Sequence, residues 1–113
     1  MKRFLSALAA VVMVMSIIVP GAYAQENRST DDLRALGIDT SHSVNVRDVV
    51  IRDPFVLVSG GIYYMYGTGA STVEGYGCYV SLDLETWYGP VNVFEAKDGF
   101  DGVNCFWAPE CHY

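Results

Sequence analysis

Basic side chains are scarce in this chain of 113 residues: seven Lys and Arg stand against thirteen Asp and Glu. Lys2 and Arg3 take two of the seven. From Gln25 onward only Arg28, Arg34, Arg47, Arg52 and Lys97 remain against all thirteen acidic groups, a formal charge of −8 for that part. Such a balance cannot neutralise a phosphate backbone, which removes nucleic acid from the expected partners; neutral or cationic substrates are compatible with it. Cysteine is scarce as well, and odd in number: Cys78, Cys105 and Cys111. Three cysteines exclude complete pairing within the chain, so one thiol is free or has a partner elsewhere. Cys105, Cys111 and His112 show neither a close cysteine pair nor His-x-x-x-His spacing, and no metal site is expected from them. Burial of a cysteine as a small hydrophobe is as good a reading as a disulfide. Beyond residue 24 no apolar run is long enough to cross a membrane. No internal repeat is strong enough to count structural units.

What is present begins with an export pattern. Met1-Lys2-Arg3 is cationic, Phe4 to Val19 is almost wholly apolar, and Pro20-Gly21-Ala22-Tyr23-Ala24 ends in a small-x-small triplet before Gln25. This is the layout of a secretory signal peptide cut after Ala24. The run is shorter than the ~20 residues of a spanning helix, so cleavage is expected, with no membrane attachment afterwards and a secreted or periplasmic location. An oxidising compartment would permit a disulfide. The length allows one domain at most, and the chain divides into 1–24, the signal; 25–43, a lead-in; and 44–113, a β domain.

Gln25 to Thr30 is polar and expected to be mobile as a new terminus. Ser29 to Gly37 reads as one short helix, with Ser29 or Thr30 as cap, Asp31 and Asp32 at its positive start and Gly37 as its stop. His42 follows in a Ser-rich loop and reads as a surface imidazole. From Val44 short β-type runs take over. Phe55–Val58 and Ile62–Tyr66 flank Ser59-Gly60-Gly61, a tight hairpin with glycines where positive φ is required. Gly67 to Ser71 reads as a loop, Tyr76–Ser81 as a third strand and Val91–Phe94 as a fourth. Between them Asp83 makes a turn, and Trp87 folds back on apolar surface. After the turn-rich Asp98–Gly102, Cys105–Tyr113 reads as an aromatic, strand-like segment. Four antiparallel strands and the start of another set suit one propeller blade and the opening of a second; spacing alone leaves a sandwich open. One blade cannot bury both its faces, so the chain is short for that architecture.

Ile51-Arg52-Asp53-Pro54-Phe55-Val56-Leu57-Val58 puts an ionisable group at the mouth of an apolar strand. Pro54 has a fixed φ and disfavours the helical region for Asp53. Asp53 is therefore expected in extended or polyproline geometry. Asp before Pro also commonly opens a turn, with no chemistry attached.

Arg52-Asp53-Pro54-Phe55, Gly61-Ile62-Tyr63-Tyr64-Met65-Tyr66-Gly67-Thr68, Ser81-Leu82-Asp83-Leu84-Glu85-Thr86-Trp87 and Phe106-Trp107-Ala108-Pro109-Glu110 occur in that order. In this combination the chain resembles the N-terminal part of glycoside hydrolase family 43, the arabinofuranosidases, arabinanases and β-xylosidases. The resemblance covers about Val49 to Tyr113. The Ser81 to Trp87 motif is also similar to the Asp-box of sialidases, whose spacing it misses by one residue.

The resemblance implies an all-β, five-bladed β-propeller, of which only the first blade and the start of the second are present. It implies a secreted glycosidase that hydrolyses O-glycosidic bonds in arabinose- or xylose-containing polysaccharide with inversion. One carboxyl group protonates the leaving oxygen while another activates water on the opposite face, about 6.5–9.5 Å away. The family's general base falls on Asp53, which must be ionised in a polar setting open to one water. Trp107, Glu110 and Phe55 are the substrate-contact candidates. Trp107 matches an aromatic lining the sugar pocket, with a core tryptophan between blades as the alternative. Pro109 is expected to hold Ala108 extended and its turn rigid. The acid and its tuning carboxylate belong to later blades, beyond Tyr113, so Glu110 is not the acid and this chain by itself is expected to be inactive. No cofactor is implied; a structural Ca2+ occurs in some relatives, with ligands outside this stretch. The partner is an oligo- or polysaccharide. The alternative function is a non-catalytic carbohydrate-binding propeller, or an inactive remnant.

Overall fold

A computed structural model of the chain describes residues 27–97, 100–101 and 106–112. The proposed signal peptide, Cys105 and most of the Asp98–Gly102 turn lie outside them. In chain order the elements are helix α1 (Thr30–Ala35), strand β1 (Val44–Asn45), a 3-10 turn (Val46–Asp48), and strands β2 (Arg52–Ser59), β3 (Ile62–Thr68), β4 (Gly75–Ser81) and β5 (Thr86–Glu95). The strands form one antiparallel sheet in the order β1-β5-β4-β3-β2. From β2 to β5 it is a simple meander, the shape of one propeller blade.

The helix forms where the capping residues put it. The Ser29 N–H and hydroxyl both donate to the Asp32 carboxylate, at 2.7 and 3.0 Å, which occupies one of the helix's free N-terminal donors. These bonds hold Asp32 below the usual carboxylate range, the backbone bond from Ser29 contributing most. Gly37 ends the helix at φ +81, a left-handed value glycine adopts without a Cβ penalty. The lead-in is more firmly held than its polarity suggests. Arg28 Nε donates to the Gly60 carbonyl at 2.8 Å, while Leu33 and Ile38 are buried against Ile62, Cys78 and Val80. Each such side chain contributes roughly 1.5–3 kcal/mol by leaving water, so a two-turn helix that is marginal alone becomes part of the core.

Gly60 and Gly61, at φ +54 and +75, turn β2 into β3. Two residues with positive φ match the twist of a two-residue hairpin. β5 is longer than the expected Val91–Phe94 because it begins at Thr86 and carries Trp87, Gly89 and Pro90. Pro90 has no N–H for a ladder, and it sits where the β4–β5 register slips between Cys78 and Val80. A bulge is where a strand tolerates proline. β1 then adds to the far side of β5 through Val44 opposite Trp87.

Trp87 is 1% exposed and its Nε1–H donates to the Leu84 carbonyl at 3.0 Å. The turn before it is built by Asp83, as its sequence suggested. Asp83 Oδ1 accepts from the Glu85 and Thr86 N–H groups at 2.8 and 2.6 Å and from Ser81 Oγ at 3.1 Å. Residues 106–112 are not a strand. An aromatic run becomes a strand only with a hydrogen-bonding neighbour, and no described strand pairs with this one.

Candidate active site

β2 opens on a bulge. Arg52 pairs with Thr68 and Phe55 with Tyr66, so Asp53 and Pro54 together face Gly67. Asp53 has φ +52, and the expectation of extended geometry is corrected. Proline disfavours the right-handed helical region for the residue before it. The bulge takes the left-handed well, which Asp tolerates better than most side chains. Gly67 makes the close pairing feasible: a Cβ there would lie 2.9 Å from Ile51 Cδ1 and 3.0 Å from the Arg52 carbonyl oxygen. Strain of this kind, about 1–3 kcal/mol, persists only where its surroundings enforce it.

The enforcing contact is Thr68, the last residue of β3. Its Oγ1 donates to Asp53 Oδ2 at 3.2 Å and accepts from the Ala108 N–H at 2.8 Å. Asp53 itself is exposed. Ala108 has φ +42, so the second pre-proline residue is also left-handed, correcting the extended form expected from Pro109. An extended Ala108 was the local preference; the tertiary bond to Thr68 overrides it. One hydroxyl thus joins two turns, reaching 15 residues back to Asp53 and 40 residues forward to Ala108.

The segment carrying the other candidates is therefore next to Asp53. Trp107 is 67% exposed. Glu110 Oε2 lies 3.0 Å from His112 Nε2. The His112 ring packs on Phe55, with ring centres 5.3 Å apart and planes at 58°. Asp53, Phe55, Trp107 and Glu110 thus all belong to two stretches, β2's mouth and 106–112, that touch each other. Thr68 and His112 were missed. Thr68 lies inside the Gly61–Thr68 motif, but only its position across the bulge marks it; His112 stands out in the sequence only beside Cys105 and Cys111.

On the same segment Pro109, Glu110 and Cys111 meet Tyr66, Tyr76 and Phe94 around a hollow of about 430 Å³. Tyr76 and Phe106 are edge to face, 5.2 Å between ring centres, a favourable aromatic geometry. Cys78 and Cys111 are free thiols. Burial, and then the neighbouring Cys111, push the Cys78 thiol up to about 11. Burial likewise raises the Tyr66 phenol, reinforced by its hydrogen bond with Cys111. The Cys78 thiol and the Tyr66 phenol are therefore neutral at neutral pH. Among the described residues no group of three or more His, Cys, Asp or Glu is arranged to hold a metal ion.

An open carboxylate on a strand-edge bulge, tied through Thr68 to the segment that carries an exposed indole, is an arrangement suited to sugar chemistry, and glycoside hydrolases form that class. The family model described as glycosyl hydrolases family 43 matches residues 45–113. The chain belongs to that family, whose members are propellers, as the four ordered motifs had implied. No match was found among curated proteins or among solved structures.

Proposed function

We propose that this chain supplies the base-bearing part of a secreted, inverting glycosidase that acts on arabinose- or xylose-containing polysaccharide, within a five-bladed propeller. Asp53 is the general base. The observation that carries this reading is its setting: an exposed carboxylate on a bulge at the mouth of β2, with Oδ2 tied to Thr68. A base of this kind must be rigid, and it must still reach one water. Trp107 offers its open indole face to the apolar side of a sugar ring. Glu110, engaged by His112, and Phe55 are substrate contacts at the edge of the site. The acid that protonates the leaving oxygen comes from a later blade, at the separation that admits a water.

The test is hydrolysis of arabino- and xylo-oligosaccharides by the full protein, with the product anomer followed by NMR. The first-formed anomer should be inverted. Asp53→Asn should lower kcat by about 10²–10⁴-fold, the usual worth of a general base, with folding intact. Near-normal turnover in that variant would remove Asp53 from the mechanism.

A further inference from the structure

We infer that Thr68 is a positioning residue, whose hydroxyl sets the orientation of the Asp53 carboxylate and ties it to the Trp107–Pro109 turn. The inference rests on the reading of Asp53 as base and extends it. A threonine hydroxyl has one proton and two lone pairs. Ala108 N–H donates into one lone pair at 2.8 Å, which leaves the proton free to point at the carboxylate 3.2 Å away. An ionised carboxylate only accepts, so the sense of both bonds is determined: Ala108 N–H to Thr68 O–H to Asp53 Oδ2. Consecutive bonds in one direction polarise and strengthen each other.

Two consequences follow from this relay. Thr68 takes one lone pair of Asp53 Oδ2 and turns the carboxylate so that Oδ1, with both its lone pairs open, faces the proton of the attacking water. The same hydroxyl holds two residues in left-handed backbone, Asp53 at φ +52 and Ala108 at φ +42, each followed by proline. Neither conformation is the local preference of a non-glycine residue, so losing the hydroxyl frees both turns. The base and the neighbour of the exposed Trp107 then lose their fixed separation. A general base displaced by about an ångström costs on the order of 10²-fold in rate.

The experiment compares Thr68→Val, Thr68→Ser and Asp53→Asn in the full protein, alone and with Thr68→Val combined with Asp53→Asn. Thr68→Val keeps the shape and removes the hydroxyl; its kcat should fall about 10- to 100-fold, with a smaller rise in KM and an unchanged far-UV spectrum. Thr68→Ser keeps the hydroxyl and should restore kcat to within a few-fold of the parent, an outcome that loss of packing alone would not produce. Added to Asp53→Asn, Thr68→Val should lower kcat no further, because both changes act through one group. Thr68→Val with kcat within twofold of the parent, while Asp53→Asn is inactive, overturns the role of Thr68 and leaves the base in place. Failure of Thr68→Ser to restore kcat, or a full additional loss in the double variant, overturns it too. Asp53→Asn with near-normal turnover overturns the base assignment, and the positioning role falls with it.

Discussion

Gly77→Ala should unfold or severely weaken the sheet, and the reason is a backbone contact on either side of one β4 residue. A Cβ built at Gly77 would lie 1.7 Å from the Ala70 carbonyl oxygen and 2.9 Å from that of Val91. Neither obstacle is the end of a flexible side chain, so the Ala70 peptide must retreat by more than an ångström. Ala70 is 1% exposed and its N–H is bonded to the Gly67 carbonyl at 3.1 Å. Retreat therefore breaks the turn that leaves β3 beside Thr68. Overpacking costs about 1–3 kcal/mol and the lost bond about 1 kcal/mol, together on the order of 2–4 kcal/mol. Against a total of about 5–15 kcal/mol, that is a large share, and Tm should drop by roughly 5–15 °C. Gly37→Ala is the control. Gly37 also has positive φ, +81, but nothing lies within 4 Å of the added Cβ, so only the conformational cost of about 1–2 kcal/mol applies. Thermal unfolding of the full protein, followed by circular dichroism for parent and both variants, decides. If Gly77→Ala melts with the Gly37→Ala control, the close packing of β4 on Ala70 is wrong.

Trp107→Ala should leave Tm within about a degree, because a side chain 67% exposed contributes little packing, yet weaken oligosaccharide binding measured by calorimetry; unchanged affinity would count against the indole as a sugar platform. Asp83 is pulled in two directions: burial opposes its charge, but bonds from the Thr86 and Glu85 N–H groups and from Ser81 prevail and hold it below the usual carboxylate range. A depressed carboxylate stabilises the fold above its unfolded value and loses that contribution as pH falls through the folded one. Tm should therefore fall less steeply for Asp83→Asn than for the parent as pH drops below about 4, while Asp32 and Asp39, also depressed, act equally in both; parallel curves would refute the role of Asp83. Cys78, 3% exposed with its thiol pushed up to about 11, should resist iodoacetamide at pH 8, where about one thiol in a thousand would be ionised. Mass spectrometry after a short pulse should show Cys78 labelled only in denaturant, and equal labelling in native protein would contradict its burial.

Much of the architecture was legible because it rests on short-range chemistry. Ser29, Asp32 and Gly37 mark the ends of α1 by capping and by glycine's access to positive φ. Gly60-Gly61 marks a hairpin for the same reason, and Asp83 with Ser81 folds a turn from atoms within a few residues. The short β-type runs Ile62–Tyr66 and Tyr76–Ser81 announced β3 and β4. β5 runs beyond the expected Val91–Phe94 because a bulge against β4 accommodates Gly89 and Pro90, and that depends on the partner strand. β1 is two residues long and acquires meaning only beside Trp87.

The amino-acid order alone determined the acidic balance, the local turns and the ordered motifs that imply the family. It pointed to Asp53, Phe55, Trp107 and Glu110 one at a time. Their common location was decided by tertiary structure, through a threonine hydroxyl that reaches Asp53 across a bulge and Ala108 across 40 residues. The backbone at both pre-proline residues was decided there too. Proline restricts its neighbour by local sterics, but the choice among the remaining wells goes to the one that completes a hydrogen bond with a distant partner, and no local pattern records where that partner is.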